Sequence, residues 1–480
     1  MPRYARIVDL PVKLSPSGAP LHHRVADALI DLVRTGHLLP GDSLPSTRTL
    51  AAELAISRTA VLAAYDELAA AGFIQAAAGS STIVSEDADL AARAGVASHI
   101  PPPQRSPDTP HDTPPSPRWN LLPGYPDTGL IMASHWRAAW RAAALQPIIS
   151  GRSVTQPVRQ LQEALATHLR RTRGVAASPG DIILVPGVSA ALRALTAAAG
   201  LGGRTVAFEE PGYAEGRRAL QSAGAHTRPV PVDNDGIDPA ALTLSDAAVY
   251  TTPAHQYPLG ARLPAGRRAA LIRWARQAQA LVIEDDYDGE FRYDVRGLPA
   301  LHSMTGGSDV VAYVGTASKT LSPGLRIAWL IPPPGLREPV QQALASTLDS
   351  INTTAGHALA HFIVSGHLTG HVARAARTYA ARRRALIAGL RSAAPALQIT
   401  GIDAGLHLVA NLPPGSNETV VQQRLYQAGL AVDVLAQHTT TTHTQQALVC
   451  SYALLSETQA RAAAAVIATH TPEPAQTGSA

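Results

Sequence analysis

From Leu21 to Gly36 the apolar residues Val25, Leu29, Leu32 and Val33 fall on one side of a 3.6-residue repeat, which predicts an amphipathic helix closed by glycine. After the turn Leu39-Pro40-Gly41-Asp42, Leu50 and Leu54 repeat that spacing behind Ser46, a residue suited to cap a helix N-terminus. A second cap, Ser57, precedes the run Arg58 to Tyr65. Phe73-Ile74-Gln75 and Thr82-Ile83-Val84, on either side of Gly79, read as the two strands of a hairpin. Periodicity then fades from about 85 to 118, and 101–117 (PPPQRSPDTPHDTPPSP) is roughly half proline, an extended and semi-stiff spacer. From Trp119 to about Thr471 helical patterns alternate with short apolar runs: Ile182 to Val185, Thr205 to Phe208, Ala248 to Thr251, Leu281 to Ile283, Val310 to Val314 and Ile327 to Ile331. Strands separated by helices over that length predict an α/β domain with a mostly parallel sheet. The expected division is a reader at 1–84, a linker at 85–118, a large domain at 119–471 and a frayed tail at 472–480.

Composition narrows the class. At 480 residues, 46% hydrophobic and 16% charged, the chain is too long for one average domain and too apolar for disorder. No apolar run approaches the roughly 20 residues that span a bilayer. Met-Pro-Arg-Tyr-Ala-Arg leads into no apolar signal segment, so a cytoplasmic protein without a membrane partner is expected. A single cysteine, Cys450, excludes a disulfide framework and a Cys-based zinc site, and no metal is expected. Of the 40 basic residues only Lys13 and Lys319 are lysines. Where arginine serves for charge, a remaining lysine is a candidate for chemistry that needs an amine able to lose its proton and form an imine.

Two short helices joined by a tight turn make a helix-turn-helix, with the second helix offered to the major groove and the hairpin as a wing. The stretch from about Leu21 to Val84 resembles the GntR family of winged-helix repressors, because LPSTRTLA, SRTAVLAAY and GF-x7-STIV keep the family's order and spacing. The resemblance implies that Ser46, Thr47, Arg48, Ser57, Arg58 and Thr59 face double-stranded DNA, with Arg48 and Arg58 reaching guanines or phosphates. Residues 1–84 hold seven Arg or Lys and seven Asp or Glu, and the wing reads Ala77-Ala78-Gly79-Ser80-Ser81 where the family usually has an arginine beside its glycine. Modest affinity per reader follows, which favours a dimer that uses two.

Lys319 sits in Tyr313-Val314-Gly315-Thr316-Ala317-Ser318-Lys319-Thr320-Leu321-Ser322-Pro323-Gly324-Leu325-Arg326. A strand end, small hydroxyl residues, a lysine and an arginine suit a phosphorylated aldehyde. The lysine forms the imine, while Thr316, Ser318 and Arg326 serve the phosphate. In Val282-Ile283-Glu284-Asp285-Asp286-Tyr287 a carboxylate at a strand's carboxyl end could keep a pyridine nitrogen protonated, and a tyrosine could bond the ring oxygen. Leu184 to Ser189 joins a strand to a helix, whose first amides seat a phosphate. Pro211-Gly212-Tyr213 offers an aromatic face, and Thr252 to Gly260 is a polar strand-end loop.

This order resembles fold-type I aminotransferases and, joined to the winged helix, the MocR-type transcriptional regulators, over nearly the whole chain. The resemblance implies pyridoxal 5′-phosphate as cofactor and Lys319 as its Schiff-base lysine. Asp285 is placed on the pyridine nitrogen, Tyr287 on the phenolic oxygen and Tyr213 on the ring face. Ser318, Arg326 and the turn Gly187, Val188, Ser189 surround the phosphate, and His255 or Gln256 touches the cofactor. It also implies a head-to-tail homodimer.

Three departures shape the functional expectation. The family's Tyr-Gly-Asp-Pro-x-Gly-x-x-x-Leu-Arg is replaced by Arg152-Ser153-Val154-Thr155-Gln156-Pro157, then Leu161-Gln162, so its tyrosine is missing and Arg152 is the candidate substitute. Gln446 to Ala453 lacks the arginine that clamps a substrate carboxylate. Glu215 stands where a sensor of amino acids can carry a cation; it suits an amine or is a solvated helix residue. Transamination of an ordinary α-amino acid is therefore not expected. The expected function is a DNA-binding regulator that senses a small-molecule effector (an amine, an amino acid or pyridoxal phosphate itself) through Lys319. The alternatives are an aminotransferase with an accessory DNA-binding domain, and a large domain that only dimerises.

Overall fold

The computed structural model describes residues 10–16, 18–76, 81–90, 92, 117–147, 158–293, 299–442 and 445–471, and divides into units Met1–His111 and Asp112–Ala480. The wing tip at 77–80, most of the Pro-rich stretch, Arg152 to Pro157 and the tail from 472 lie outside the described residues.

In the first unit, α1 (Leu21–Arg34) precedes α2 (Thr47–Glu53) and α3 (Arg58–Ala70). Both later helices begin where a serine oxygen accepts an otherwise unpaired amide: Thr49 N donates to Ser46 Oγ at 3.1 Å, and Ala60 N to Ser57 Oγ at 3.3 Å. Val25, Leu29, Leu50, Val61 and Leu68 meet in one core, closed by Ile74 and Val84. Strands β1 (Ser43–Leu44), β2 (Ile74–Ala76) and β3 (Thr82–Val84) pair antiparallel in the order β1-β3-β2. The hairpin is the expected one. The added strand β1 is two residues long, too short to show alternation in the sequence. Ala88 and Ala92 also bury against this core, so packing runs past Val84 into the stretch read as linker.

The second unit opens with β4 (Trp119–Asn120) and is built on β5 (Ile183–Val185), β6 (Thr205–Glu210), β7 (His226–Asp233), β8 (Gly236–Ile237), β9 (Ala248–Thr251), β10 (Leu281–Asp286), β11 (Val311–Thr316) and β12 (Ala328–Ile331). These eight run in the order β5-β12-β11-β10-β9-β6-β7-β8. Pairing is parallel from β11 through β10, β9 and β6 to β7, and antiparallel at β12 and β8. The mostly parallel α/β sheet is thus the predicted one. Strands β10 and β11 extend beyond their apolar runs because their last residues, polar or small, are buried as well. A smaller antiparallel sheet of β13 (Gln398–Thr400), β14 (His407–Asn411), β16 (Asp433–Val434) and β17 (Ala447–Ser451) packs Leu408, Leu448 and Cys450 against Leu386, Leu390 and Ile467 from the helices His367–Ala393 and Glu457–His470. Strand β15 (Leu430–Ala431) pairs in parallel with β4. No described helix is long and apolar enough to cross a membrane.

The serine caps give a direct check. Ser46→Ala and Ser57→Ala should each lower the stability of the first unit by about 1 kcal/mol, read as a shift in its urea midpoint, whereas Ser→Asp at either position should leave it nearly unchanged.

Candidate cofactor site and DNA-reading face

Strand β10 ends in three consecutive buried carboxylates, and the two-residue strand period sends them to opposite faces. Glu284 accepts the backbone amides of Leu301 (2.8 Å) and His302 (3.0 Å). Asp286 accepts two bonds from the Arg173 guanidinium (2.5 and 3.0 Å) and one from Tyr313 Oη (2.7 Å). Asp285, between them, faces the other way and lines a cavity of ≈ 330 Å³ with Lys319, Tyr213 and Tyr287. Its Oδ2 accepts from Tyr250 Oη at 2.5 Å, while Oδ1 is buried without a partner among the described residues.

Lys319 follows β11 directly, and β11 is the parallel neighbour of β10, so the amine and the carboxylate arrive at the same sheet edge. The Lys319 Nζ donates to the Gly124 carbonyl at 2.9 Å. Burial lowers the Lys319 pKa against the opposing pull of Asp285, which favours the neutral, nucleophilic amine. Burial likewise pushes Asp285 up to about 7; the Tyr250 hydrogen bond opposes it and Asp286 adds to it. Glu284 is also pushed up to about 7, by burial and by Asp286.

At one end of the cavity Gly187, Val188 and Ser189 form the start of the helix Val188–Ala198, and the Arg326 guanidinium lies against the turn. A Cβ on Gly187 would stand 3.3 Å from Arg326 Nη2, so the residue that brings backbone and guanidinium together must be small. Thr316 and Ser318 are on the same wall; Thr316 Oγ1 already accepts the Ser318 amide at 3.1 Å. This is an anion seat: a helix N-terminus, a guanidinium and hydroxyls. The strand-end loop behaves differently from the expectation that His255 or Gln256 touches a ligand. Its cavity-lining members are Thr252 and Tyr257, and His255 and Gln256 stand one layer behind. Gln256 Nε2 donates to the carbonyls of Pro211 (2.9 Å) and Tyr257 (2.7 Å) and its Oε1 accepts the Leu259 amide (3.0 Å), which locks the loop. His255 bonds Asp288 and Tyr287.

Residues 132–467 match the family model of aminotransferase class I and II, and residues 21–84 match that of bacterial regulatory proteins, gntR family. An HTH-type pyridoxine biosynthesis transcriptional regulator, PdxR, of Corynebacterium glutamicum is 35% identical over 441 residues, 90% of this chain and 92% of that one. The probable rhizopine catabolism regulatory protein MocR of Rhizobium meliloti is 32% identical over 446 residues, 90% of each chain. This chain is a MocR-type regulator of the GntR family. Among solved structures, an archaeal alanine:glyoxylate aminotransferase superposes with a TM-score of 0.68 over 73% of this chain and 89% of that one; at 23% identity the likeness is of fold.

Within this MocR-type site the far wall comes from elements that carry no local motif. Gly124, Leu406, His407, Asp433 and His438 all line the cavity, and none stands out in the sequence. They come from the segment after β4, the start of β14 and the Asp433–His438 stretch, which are far apart in the chain. Strand β17 turns Val449 into an apolar cluster with Val409 and Leu435, so no cation projects from the stretch that lacks the clamp arginine. Arg382, which donates to the Ala453 carbonyl at the end of that stretch, also donates to Asp127 at 2.9 Å. Among the described lining residues Arg326 is the one arginine, and it belongs to the anion seat. Glu215 lines the cavity and is half-exposed, bonded to Arg218 at 2.9 Å.

In the first unit the GntR reader presents Ser46, Arg48, Ser57, Arg58 and Thr59 exposed and Thr47 partly exposed, all at the start of α2 or α3. Arg58 Nε lies 3.4 Å from Thr47 Oγ1, linking the two helix starts. Tyr65 Oη donates to the Pro45 carbonyl at 2.8 Å and fixes the entry to α2 against α3.

Two outcomes follow for the large unit. Asp285 carries a pKa raised from its unfolded value to about 7, so the stability it lends the ligand-free protein is full below the unfolded pKa and lost as pH rises through 7. Asp285→Asn, which cannot ionise, should therefore gain in Tm relative to wild type from pH 5 to pH 8. Gly405 has φ +73, and a Cβ there would come within 2.5 Å of Asp288 Oδ2 and closer still to the His255 ring. Gly405→Ala should cost about 2–4 kcal/mol from the left-handed backbone and the overlap together, measured by chemical unfolding.

Proposed function

We propose that this chain is a transcriptional regulator that binds pyridoxal 5′-phosphate on Lys319 and uses that site to control its grip on DNA. The observation that carries the cofactor reading is that Asp285, whose buried Oδ1 has no partner among the described residues, lines the same cavity as Lys319 and the Arg326 anion seat. An orphaned carboxylate oxygen there matches a protonated pyridine nitrogen. When bound, pyridoxal phosphate supplies an aldehyde that condenses reversibly with a primary amine. The chain's part is to hold it. Arg326, Ser318 and the first amides of the helix Val188–Ala198 would take the phosphate. Tyr213 would cover the ring, Asp285 would keep the ring nitrogen protonated, and the depressed pKa of Lys319 would keep its amine available.

Pyridoxal phosphate itself is the effector this cavity favours. Its described lining carries no arginine beyond the anion seat, and the Corynebacterium relative is named for pyridoxine biosynthesis. Glu215 and Asp433 on the wall support a second reading, in which a small amine without a carboxylate is the effector. Either ligand must bind two arrangements of the protein unequally to act as a switch. A homodimer acting in the cytoplasm on paired half-sites completes the proposal, because two nearly neutral readers bind together far better than one.

The deciding experiment is a visible spectrum of wild type and Lys319→Ala with added pyridoxal phosphate, followed by operator binding with the ligand titrated. A visible band in wild type that is absent in the variant, together with a change in DNA affinity of about tenfold or more, is expected. No band in either protein would reduce the large unit to a scaffold. Steady multiple turnover with an amino donor and a 2-oxo acid would move the reading to an aminotransferase.

A further inference from the structure

His255 and Asp288 form a buried pair behind the cavity that the proposed function does not use; they are 2% and 1% exposed. His255 Nδ1 lies 2.7 Å from Asp288 Oδ2 and 3.0 Å from Tyr287 Oη, and Tyr287 lines the cavity beside Asp285 and Lys319. Burial alone would raise the Asp288 pKa, but His255, Arg292 and His407 around it hold it below the usual carboxylate range. A charged carboxylate only accepts hydrogen bonds, so the shared hydrogen belongs to Nδ1. That nitrogen then has no lone pair to offer the Tyr287 hydroxyl 3.0 Å away, so the Tyr287 oxygen can only share the same hydrogen as the weaker acceptor of a three-centre bond. A hydroxyl that accepts from behind turns its own hydrogen forward and becomes a better donor. From this geometry we infer that His255 and Asp288 are positioning residues that aim the Tyr287 hydroxyl hydrogen into the cavity, at the ring oxygen of the bound pyridine.

The inference rests on the pyridoxal phosphate reading. The pair is held from two sides. The end of β10 and the bend after it place Asp285, Tyr287 and Asp288 within four residues, and Gly405, in the turn between β13 and β14, lies directly on the His255 ring and the Asp288 carboxylate. Among the described residues, His255, Tyr257, Arg292, Asp285 and Asp288 are charged or titratable groups that act on Tyr287.

The test is a pH titration of the visible band of the full-length, pyridoxal phosphate-loaded protein. A hydrogen bond donated to the ring oxygen competes with the protonated Lys319–cofactor nitrogen for that oxygen. Losing it lets the nitrogen hold its proton to higher pH. Tyr287→Phe should raise the midpoint by about one pH unit. Asp288→Asn should raise it in the same direction by about half a unit, and should add nothing in a Tyr287→Phe background. If Asp288 acted only as a nearby negative charge, its removal would lower the midpoint, with or without the tyrosine hydroxyl, and that result overturns the inference. Should Asp288→Asn fail to fold, His255→Leu combined with Asp288→Asn removes the buried charge with its partner and must give the same upward shift. A band whose midpoint ignores Tyr287→Phe overturns the inference while the cofactor reading stands. No band in wild type overturns both.

Discussion

The large unit is organised around the cost of burying negative charge at the end of β10. Three carboxylates in a row are withdrawn from water there, and each would be costly unless it were bonded or neutral. Arg173 and Tyr313 balance Asp286, and two backbone amides balance Glu284. Those partners come from the helix Arg159–Arg173, from β11 and from the 301–302 turn, so satisfying the charges fixes the position of three separate elements. Only Asp285 is left half-satisfied, and it faces the cavity. The fold satisfies two of its three adjacent acids with its own atoms and leaves one oxygen of the third without a partner among the described residues.

The same economy recurs one layer out. Gln256 locks the loop beside the cavity, and His255 with Asp288 backs Tyr287, so side chains that line the cavity are held by side chains that do not. Gly405 seats the smaller sheet on this second layer. The cavity's backing layer and the turn leading into β14 thus meet at a contact that has no room for a methyl group.

Local patterns announced much of this. The serine caps, the spacing of Leu50 and Leu54, and the apolar runs of β9, β10 and β11 are short-range signals, and each matches an element of the structure. The rarity of lysine leaves Lys13 and Lys319 as candidates, and the small hydroxyl residues and Arg326 around Lys319 distinguish it. What stayed hidden had no local period: β1 is two residues long, and Ala88 and Ala92 join the first core from a stretch too short to show a face. His255 and Gln256 lie in the expected loop, yet the chain turns there and sends Thr252 and Tyr257 to the cavity instead.

By itself, then, the sequence determined the two units, the reader's helices, the order of the sheet-forming runs and the residues able to do imine and phosphate chemistry. These depend on contacts between residues a few positions apart, where helix and strand periods are strict. The tertiary structure alone decided how Glu284 and Asp286 are satisfied, and which loop atoms line the cavity. It also decided that Gly124, His407, Asp433 and His438 close the cavity from segments far apart in the chain. Those choices depend on how distant elements satisfy buried charge and fill space together, and no local pattern records that.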